Sequence, residues 1–177
     1  NLPADCAYIV NHSEAKIAFA EDGKQLAKLL EMRADLKNLK HIVVFDPQAM
    51  GLAAGREDVL TLDSLTELGK RFEAREPKRF DANLEAATPE DWITICYTSG
   101  TTGLPKGAII THDNMASVME DCEKTLGKYV EPEKEVLLSF LPFSHIIGKA
   151  ESLAGYTFGW KECFAENFDR IADNLGE

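Results

Sequence analysis

The run Ile42-Val43-Val44-Phe45 is apolar at every position, and it constrains the fold more than any other stretch. A strand with one face on water alternates apolar and polar residues. An unalternating strand must be covered on both faces, as in a parallel sheet packed between helices. The preceding segments agree: Lys16-Ile17-Ala18-Phe19-Ala20 is a short strand-like run, and Asp22 is a candidate N-cap with Gln25 three residues later. Leu26, Leu29, Leu30, Leu36 and Leu39 then recur at helical spacing. Together they predict a strand-helix-strand unit with parallel pairing and a right-handed crossover. Ser64-Leu65-Thr66-Glu67 reads as a capping box opening a helix with Leu65, Leu68 and Phe72 on one stripe. From Arg75 to Asp91 the chain turns polar and holds Pro77 and Pro89, which predicts a connecting loop and a subdomain junction near 75–91.

The second half repeats the alternation. Strands are expected at Trp92 to Tyr97, Ala108 to Thr111, Val136 to Leu138 and Cys163 to Ala165. Helices are expected through Met115, Val118, Met119, Cys122 and Leu126 with Gly127 as a stop, through Ile146, Ile147, Ala150, Leu153 and Ala154, and through Phe168, Ile171 and Leu175. The predicted class is α/β, a mainly parallel sheet flanked by helices, in which ligands sit where strands end and loops begin. No fixed-period repeat or low-complexity tract is present.

Composition narrows the function. A chain of 177 residues, 45% hydrophobic and 28% charged, can bury about 70% of the surface its unfolded form exposes and lies outside the disordered and disulfide-scaffold classes. The formal charge of −11 and pI near 4.8 argue against a nucleic-acid partner, which needs clustered basic surface. They do not argue against a nucleotide, because screening makes the local loop matter more than the total. Cys6, Cys96, Cys122 and Cys163 form no C-x-x-C pair, and His12, His41, His112 and His145 are scattered, so no metal site is expected. Reduced thiols, no apolar run near 18 residues and no charged-then-apolar leader suit a cytoplasmic protein. The chain opens at Asn1 and stops directly after a helical pattern, which reads as a piece of a longer protein.

Chemistry is concentrated in Tyr97-Thr98-Ser99-Gly100-Thr101-Thr102-Gly103-Leu104-Pro105-Lys106-Gly107. Thr98, Ser99, Thr101 and Thr102 offer hydroxyl donors, Gly100, Gly103 and Gly107 allow close backbone approach, and Lys106 adds a positive charge. These are groups a polyphosphate needs. The loop is not a Walker A motif, since Pro105 and Gly107 stand where that pattern needs Gly and Ser/Thr. It leads into an apolar strand, so no helix N-terminus is expected immediately behind it. Binding would come from hydroxyls, amide concavities and Lys106, with Mg²⁺ sharing the charge.

The same string resembles the AMP-binding signature of the adenylate-forming enzymes, the superfamily of acyl- and aryl-CoA synthetases, firefly-type luciferases and peptide-synthetase adenylation domains. Leu141-Pro142-Phe143-Ser144-His145 is similar to that family's Leu-Pro-Leu/Met-x-His, with Phe143 a mild departure. Ala20-Glu21-Asp22, His41 through Asp46 and Phe164 through Phe168 look like bacterial-type long-chain fatty acyl-CoA synthetases. The resemblance implies a partial AMP-binding N-terminal domain over 1–177, without the C-terminal domain. The family's aromatic-Gly-x-Thr-Glu and Thr-Gly-Asp motifs and its C-terminal catalytic Lys have no counterpart in the 177 residues.

The implied parent is an acid–thiol ligase that activates a fatty acid with ATP and Mg²⁺ to an acyl-adenylate and passes the acyl group to coenzyme A. The implied nucleotide-binding residues are Thr98, Ser99, Gly100, Thr101, Thr102, Gly103 and Lys106, and the implied catalytic residues are Lys106 and His145. The chain by itself is expected to be inactive. Peripheral membrane contact of the parent at the inner face and self-association of the chain are left open. A second reading, a non-catalytic nucleotide- or phosphate-binding α/β module, also stays open. Trp92, Cys96 and Tyr97 read as core strand residues, His112 as structural, and Lys149 and Glu151 as facing water ahead of the alternative that they face the acyl channel.

Overall fold

The computed structural model describes residues 3–98, 104–131 and 134–176. The chain divides into two compact units, one built on residues up to Ala87 together with residues 104–106 and the other on Thr88–Thr98 with Gly107 onward.

The first unit is organised around the apolar run. Strands β1 (Ile17–Ala20), β2 (His41–Val44) and β3 (Val59–Thr61) form a parallel sheet in that order. Ala18 pairs with Ile42 and Val43 with Leu60. The central strand is sealed: Ile42, Val43 and Val44 are each 0% exposed, a burial worth about 1.5–3 kcal/mol for each side chain. Helix α1 (Pro3–His12) and helix α2 (Gly23–Glu31) supply much of the packing, with Cys6, Ala7, Val10, Leu26, Leu29 and Leu30 against the core. Asp22 caps α2 as its spacing predicts, its Oδ1 accepting from the Gln25 amide at 2.8 Å.

Two details of this half differ from expectation. Helix α2 ends at Glu31, so Leu36 and Leu39 are not helical; they follow a 3₁₀ turn at Arg33–Asp35 and are buried from the connecting loop. Helix α3 (Leu62–Arg75) is capped by Thr61, whose side chain accepts from the Ser64 amide at 3.1 Å. Ser64 is therefore the third helical residue and not the cap, because β3 runs directly into the helix. On the expected stripe Leu65 alone is half-buried, with Leu68 and Phe72 exposed. The polar stretch 75–91 also contains α4 (Arg79–Ala86). Pro77 lies before that helix and Pro89 after it, so neither breaks it. The sequence pattern also left α1 and β3 unassigned.

Arg33 locks the loop between α2 and β2. Its Nε donates to Asp58 Oδ2 at 2.8 Å, and its other nitrogens donate to the Leu36 and Leu39 carbonyls at 3.3 and 2.9 Å. Arg56 donates to both oxygens of the same carboxylate at 2.9 and 2.8 Å.

In the second unit β4 (Trp92–Thr98) pairs with β5 (Lys106–Thr111), and β6 (Val136–Ser139) pairs in parallel with β7 (Lys161–Phe164). Helix α5 (His112–Leu126) follows β5, α6 (Ile146–Phe158) joins β6 to β7, and a 3₁₀ turn leads into the short α7 (Ile171–Asn174). A capping box of Thr111 and Asn114 starts α5. The class is α/β with parallel sheets flanked by helices, but among the described residues the strands are distributed over three sheets. Cys96 is buried as expected, whereas Trp92 is 64% exposed. Trp92 opens its strand, where no neighbouring element among the described residues covers it.

The two guanidinium groups, Arg56 foremost through its hydrogen bond, hold the Asp58 carboxyl at about 2, below the ordinary 3.8. A lowered carboxylate pKa stabilises the fold above the unfolded value, and the contribution fades as pH falls from about 4 to 2. Asp58→Asn should cost about 1–2 kcal/mol at pH 7, allowing for solvent screening, and should remove that acid dependence. Urea unfolding of both forms between pH 7 and pH 2 checks this.

Candidate functional site

The hydroxyl-rich loop is bracketed by paired strands. Thr98 is the last residue of β4 and is exposed; Lys106 is the first of β5 and is exposed, with no ion-pair partner among the described residues. Ser99, Gly100, Thr101, Thr102 and Gly103 lie outside the described residues. Directly behind Lys106, a Cβ on Gly107 would stand 2.8 Å from Ile95 Cγ2 and 3.2 Å from Tyr97 Cζ. Gly at 107 therefore lets these two β4 side chains lie over the backbone that presents Lys106.

His145 is placed by the start of α6. Its backbone amide donates to the Pro142 carbonyl at 2.9 Å, and its Nδ1 accepts from the Ile147 amide at 3.2 Å as the helix N-cap. Because Nδ1 accepts, a neutral ring carries its proton on Nε2, which is then the donor of the ring. The next turn is tight: a Cβ on Gly148 would lie 2.8 Å from the Pro142 carbonyl oxygen and 3.0 Å from that of Leu141. The spacing Leu141-Pro142-x-x-His145-x-x-Gly148 is thus a folded-back turn in which the helix rests on the backbone that leads into it.

Lys149 does not face water. It is half-buried, and its Nζ donates to Thr94 Oγ1 of β4 at 2.8 Å. The sequence signal available for it was the i, i+4 spacing from His145, which places both on one side of a helix. Glu151 is half-buried too, and its Oε2, Trp160 Nε1 and Glu162 Oε1 are buried without a hydrogen-bond partner among the described residues. Burial, then the charge of Glu162, pushes the Glu151 carboxyl above its ordinary value. Ser152 Oγ donates to Glu162 Oε2 at 3.0 Å.

An open apolar cavity of about 280 Å³ lies among β5, α5 and α6, lined by Ile110, Met115, Val118, Ile146, Ile147 and Ala150 with Asn114 as its polar member. Ile146 and Ile147 are the residues that follow His145, so one turn of helix carries both the imidazole and part of the apolar wall. Among the described residues no cluster of three or more His, Cys, Asp or Glu side chains could hold a metal ion, and no helix is long and apolar enough to cross a membrane.

The profile of the family described as AMP-binding enzyme matches residues 2–176. The chain belongs to that family. Among curated AMP-binding relatives, the long-chain-fatty-acid–CoA ligase ACSBG1 of Rattus norvegicus is 33% identical over 167 residues, covering 93% of this chain and 22% of that protein. Long-chain-fatty-acid–CoA ligase 1 of Homo sapiens is 35% identical over 171 residues, covering 93% and 23%. The chain thus spans about a fifth of the length of these relatives. Among solved structures, ATP-bound MatB from Rhodopseudomonas palustris aligns with a TM-score of 0.64 at 22% identity, over 100% of this chain and 31% of that one. The anthranilate CoA ligase AuaEII in complex with anthranoyl-AMP aligns at 0.66 and 19%, over 99% and 30%. At these identities the structural matches speak for the AMP-binding fold.

Substitutions at two positions test how the turn is built. Gly148→Ala should destabilise by about 1–3 kcal/mol, since the colliding atoms are backbone carbonyls that cannot rotate away. His145→Asn should keep the cap, while His145→Ala should lose about 1 kcal/mol. Denaturant midpoints at constant slope report both.

Proposed function

We propose that this chain is the phosphate-binding part of a long-chain fatty acid–CoA ligase and carries the adenylation chemistry only in the context of the longer protein. The observation that carries this reading is the sequence of hydroxyls and glycines between β4 and β5, ending on the exposed Lys106, which has no ion-pair partner among the described residues. Family membership and the long-chain relatives support it.

In the first half-reaction a fatty carboxylate oxygen attacks the α-phosphorus of ATP, and the bond to the bridging oxygen of pyrophosphate breaks. Negative charge moves toward the leaving pyrophosphate, and donors already in place there lower the barrier. Lys106 is the cation for that charge: one ammonium about 4 Å from a phosphate oxygen contributes about 4 kcal/mol at an effective dielectric near 20, before desolvation is subtracted. Thr98, Ser99, Thr101 and Thr102 donate hydroxyl hydrogen bonds to the phosphates, and Gly100 and Gly103 bring backbone amides close. His145, through Nε2, donates near the α-phosphate and acyl carboxylate, and the cavity beside it receives apolar acyl surface. In the second half-reaction the thiol of coenzyme A attacks the acyl carbonyl and AMP leaves. Mg²⁺ in this reading arrives with the triphosphate; the described residues supply no resident site for it, and no step above depends on one.

ATP–pyrophosphate exchange by the full-length protein, across fatty acids of different length, tests the reading. The 177-residue chain alone should show none. Lys106→Ala in the full-length protein should slow adenylation by about 10²-fold or more while leaving stability within about 0.5 kcal/mol, and Lys106→Arg should rescue in part, a planar fork replacing a compact charge. Thioester formation from preformed acyl-adenylate should be nearly unchanged, because no pyrophosphate remains to contact. Equal losses in both half-reactions, read in single turnovers, would remove Lys106 from the phosphates. A phosphate-binding module without chemistry would instead bind nucleotide and exchange nothing.

A further inference from the structure

The first turn of α6 is weakly held by its own backbone. The Lys149 amide reaches the His145 carbonyl at 3.4 Å, near the limit for a hydrogen bond, and the Ile147 amide relies on the His145 ring at 3.2 Å. Two other contacts brace it. Gly148 rests on the Leu141 and Pro142 carbonyls, and the Lys149 ammonium crosses to Thr94, 55 residues away in sequence, at 2.8 Å. Thr94 lies on β4, four residues before Thr98. The Lys149–Thr94 bond therefore ties the helix that carries His145 to the strand that delivers the loop.

Stability alone is a poor reason for this bond. A half-buried ammonium given a neutral hydroxyl, with no carboxylate partner among the described residues, recovers only part of its desolvation cost, and an apolar side chain would fill the same space more cheaply. What the bond supplies is direction: one donor, one acceptor, and a fixed distance between α6 and β4.

We propose that Lys149 is a positioning residue for His145, using Thr94 to set the rotation and depth of the first turn of α6. The proposal rests on the reading of His145 as an adenylation residue, and its test keeps the two apart.

In the full-length protein, hydrogen exchange at the amides of residues 146–150 reads the turn without any need for activity. Lys149→Met and Thr94→Val should each speed exchange there about tenfold, leave residues 41–44 unchanged, and in combination add nothing further. Lys149→Arg, which can still reach the hydroxyl, should stay within about threefold of the original. Unchanged exchange in Lys149→Met, or additive effects in the double variant, would overturn the proposal. Adenylation then tests the route. Lys149→Met should lower the single-turnover rate about tenfold with little change in the KM for ATP, and should cost nothing more in a His145→Ala background. A full further loss in that background would show that Lys149 meets substrate itself and would overturn the positioning role. If the unmodified protein exchanges no pyrophosphate, the functional reading fails, while the exchange data still decide whether Lys149 holds the turn.

Discussion

The first unit depends on burying β2. Its backbone is paired on both edges and the side chains of Ile42, Val43 and Val44 are sealed on both faces, so each flanking element is placed by what it must cover. α2 brings Leu26 to the sheet, the 3₁₀ turn after it brings Leu36 and Leu39, and α1 closes the remaining surface with Cys6, Ala7 and Val10. The cost of this arrangement is a long crossover between parallel strands. Arg33 meets part of that cost by gathering two loop carbonyls and a carboxylate at one guanidinium, which suits Arg better than Lys because several donors must point in fixed directions.

The second unit applies a different constraint to its chemistry. Residues that could meet a ligand sit at strand ends and on a helix first turn, where backbone amides and side chains are not committed to a ladder. Each is backed by a close contact that allows no larger residue: Gly107 under Ile95 and Tyr97, and Gly148 on the Leu141 and Pro142 carbonyls. The glycines beside Lys106 and within the turn after His145 are thus packing requirements of the same segments that present the polar groups. Under the function proposed above such backing matters, because donors aimed at a developing charge help only if they do not reorganise when it forms.

Much of this was legible in the residues. Alternation of apolar runs with helical spacing located β1, α2, β2, β4, α5, β6 and α6, since burial on both faces or on one stripe leaves a local pattern. The hydroxyl-glycine-lysine loop stood out by its composition, and Leu141-Pro142-x-x-His145 by its resemblance to the family whose profile matches the chain. The errors were also physical. Ser64 has the composition of a cap, but Thr61 is earlier and takes the role once β3 delivers the chain to it. Helix α4 hides in a polar, proline-bearing stretch because none of its residues is buried, so it carries no periodic apolar signal to detect.

By itself the amino-acid sequence determined the α/β class, the parallel pairing of the first strands and the hydroxyl-rich, cationic composition of the loop, because each follows from which side chains must leave water and which can stay in it. Tertiary structure alone decided that Leu36 and Leu39 enter the core from a loop, that the strands of the described residues divide among three sheets, and that Lys149 reaches Thr94. These are contacts between residues far apart in the chain, and a half-buried lysine and a solvated one are written with the same letter until the fold supplies the neighbour.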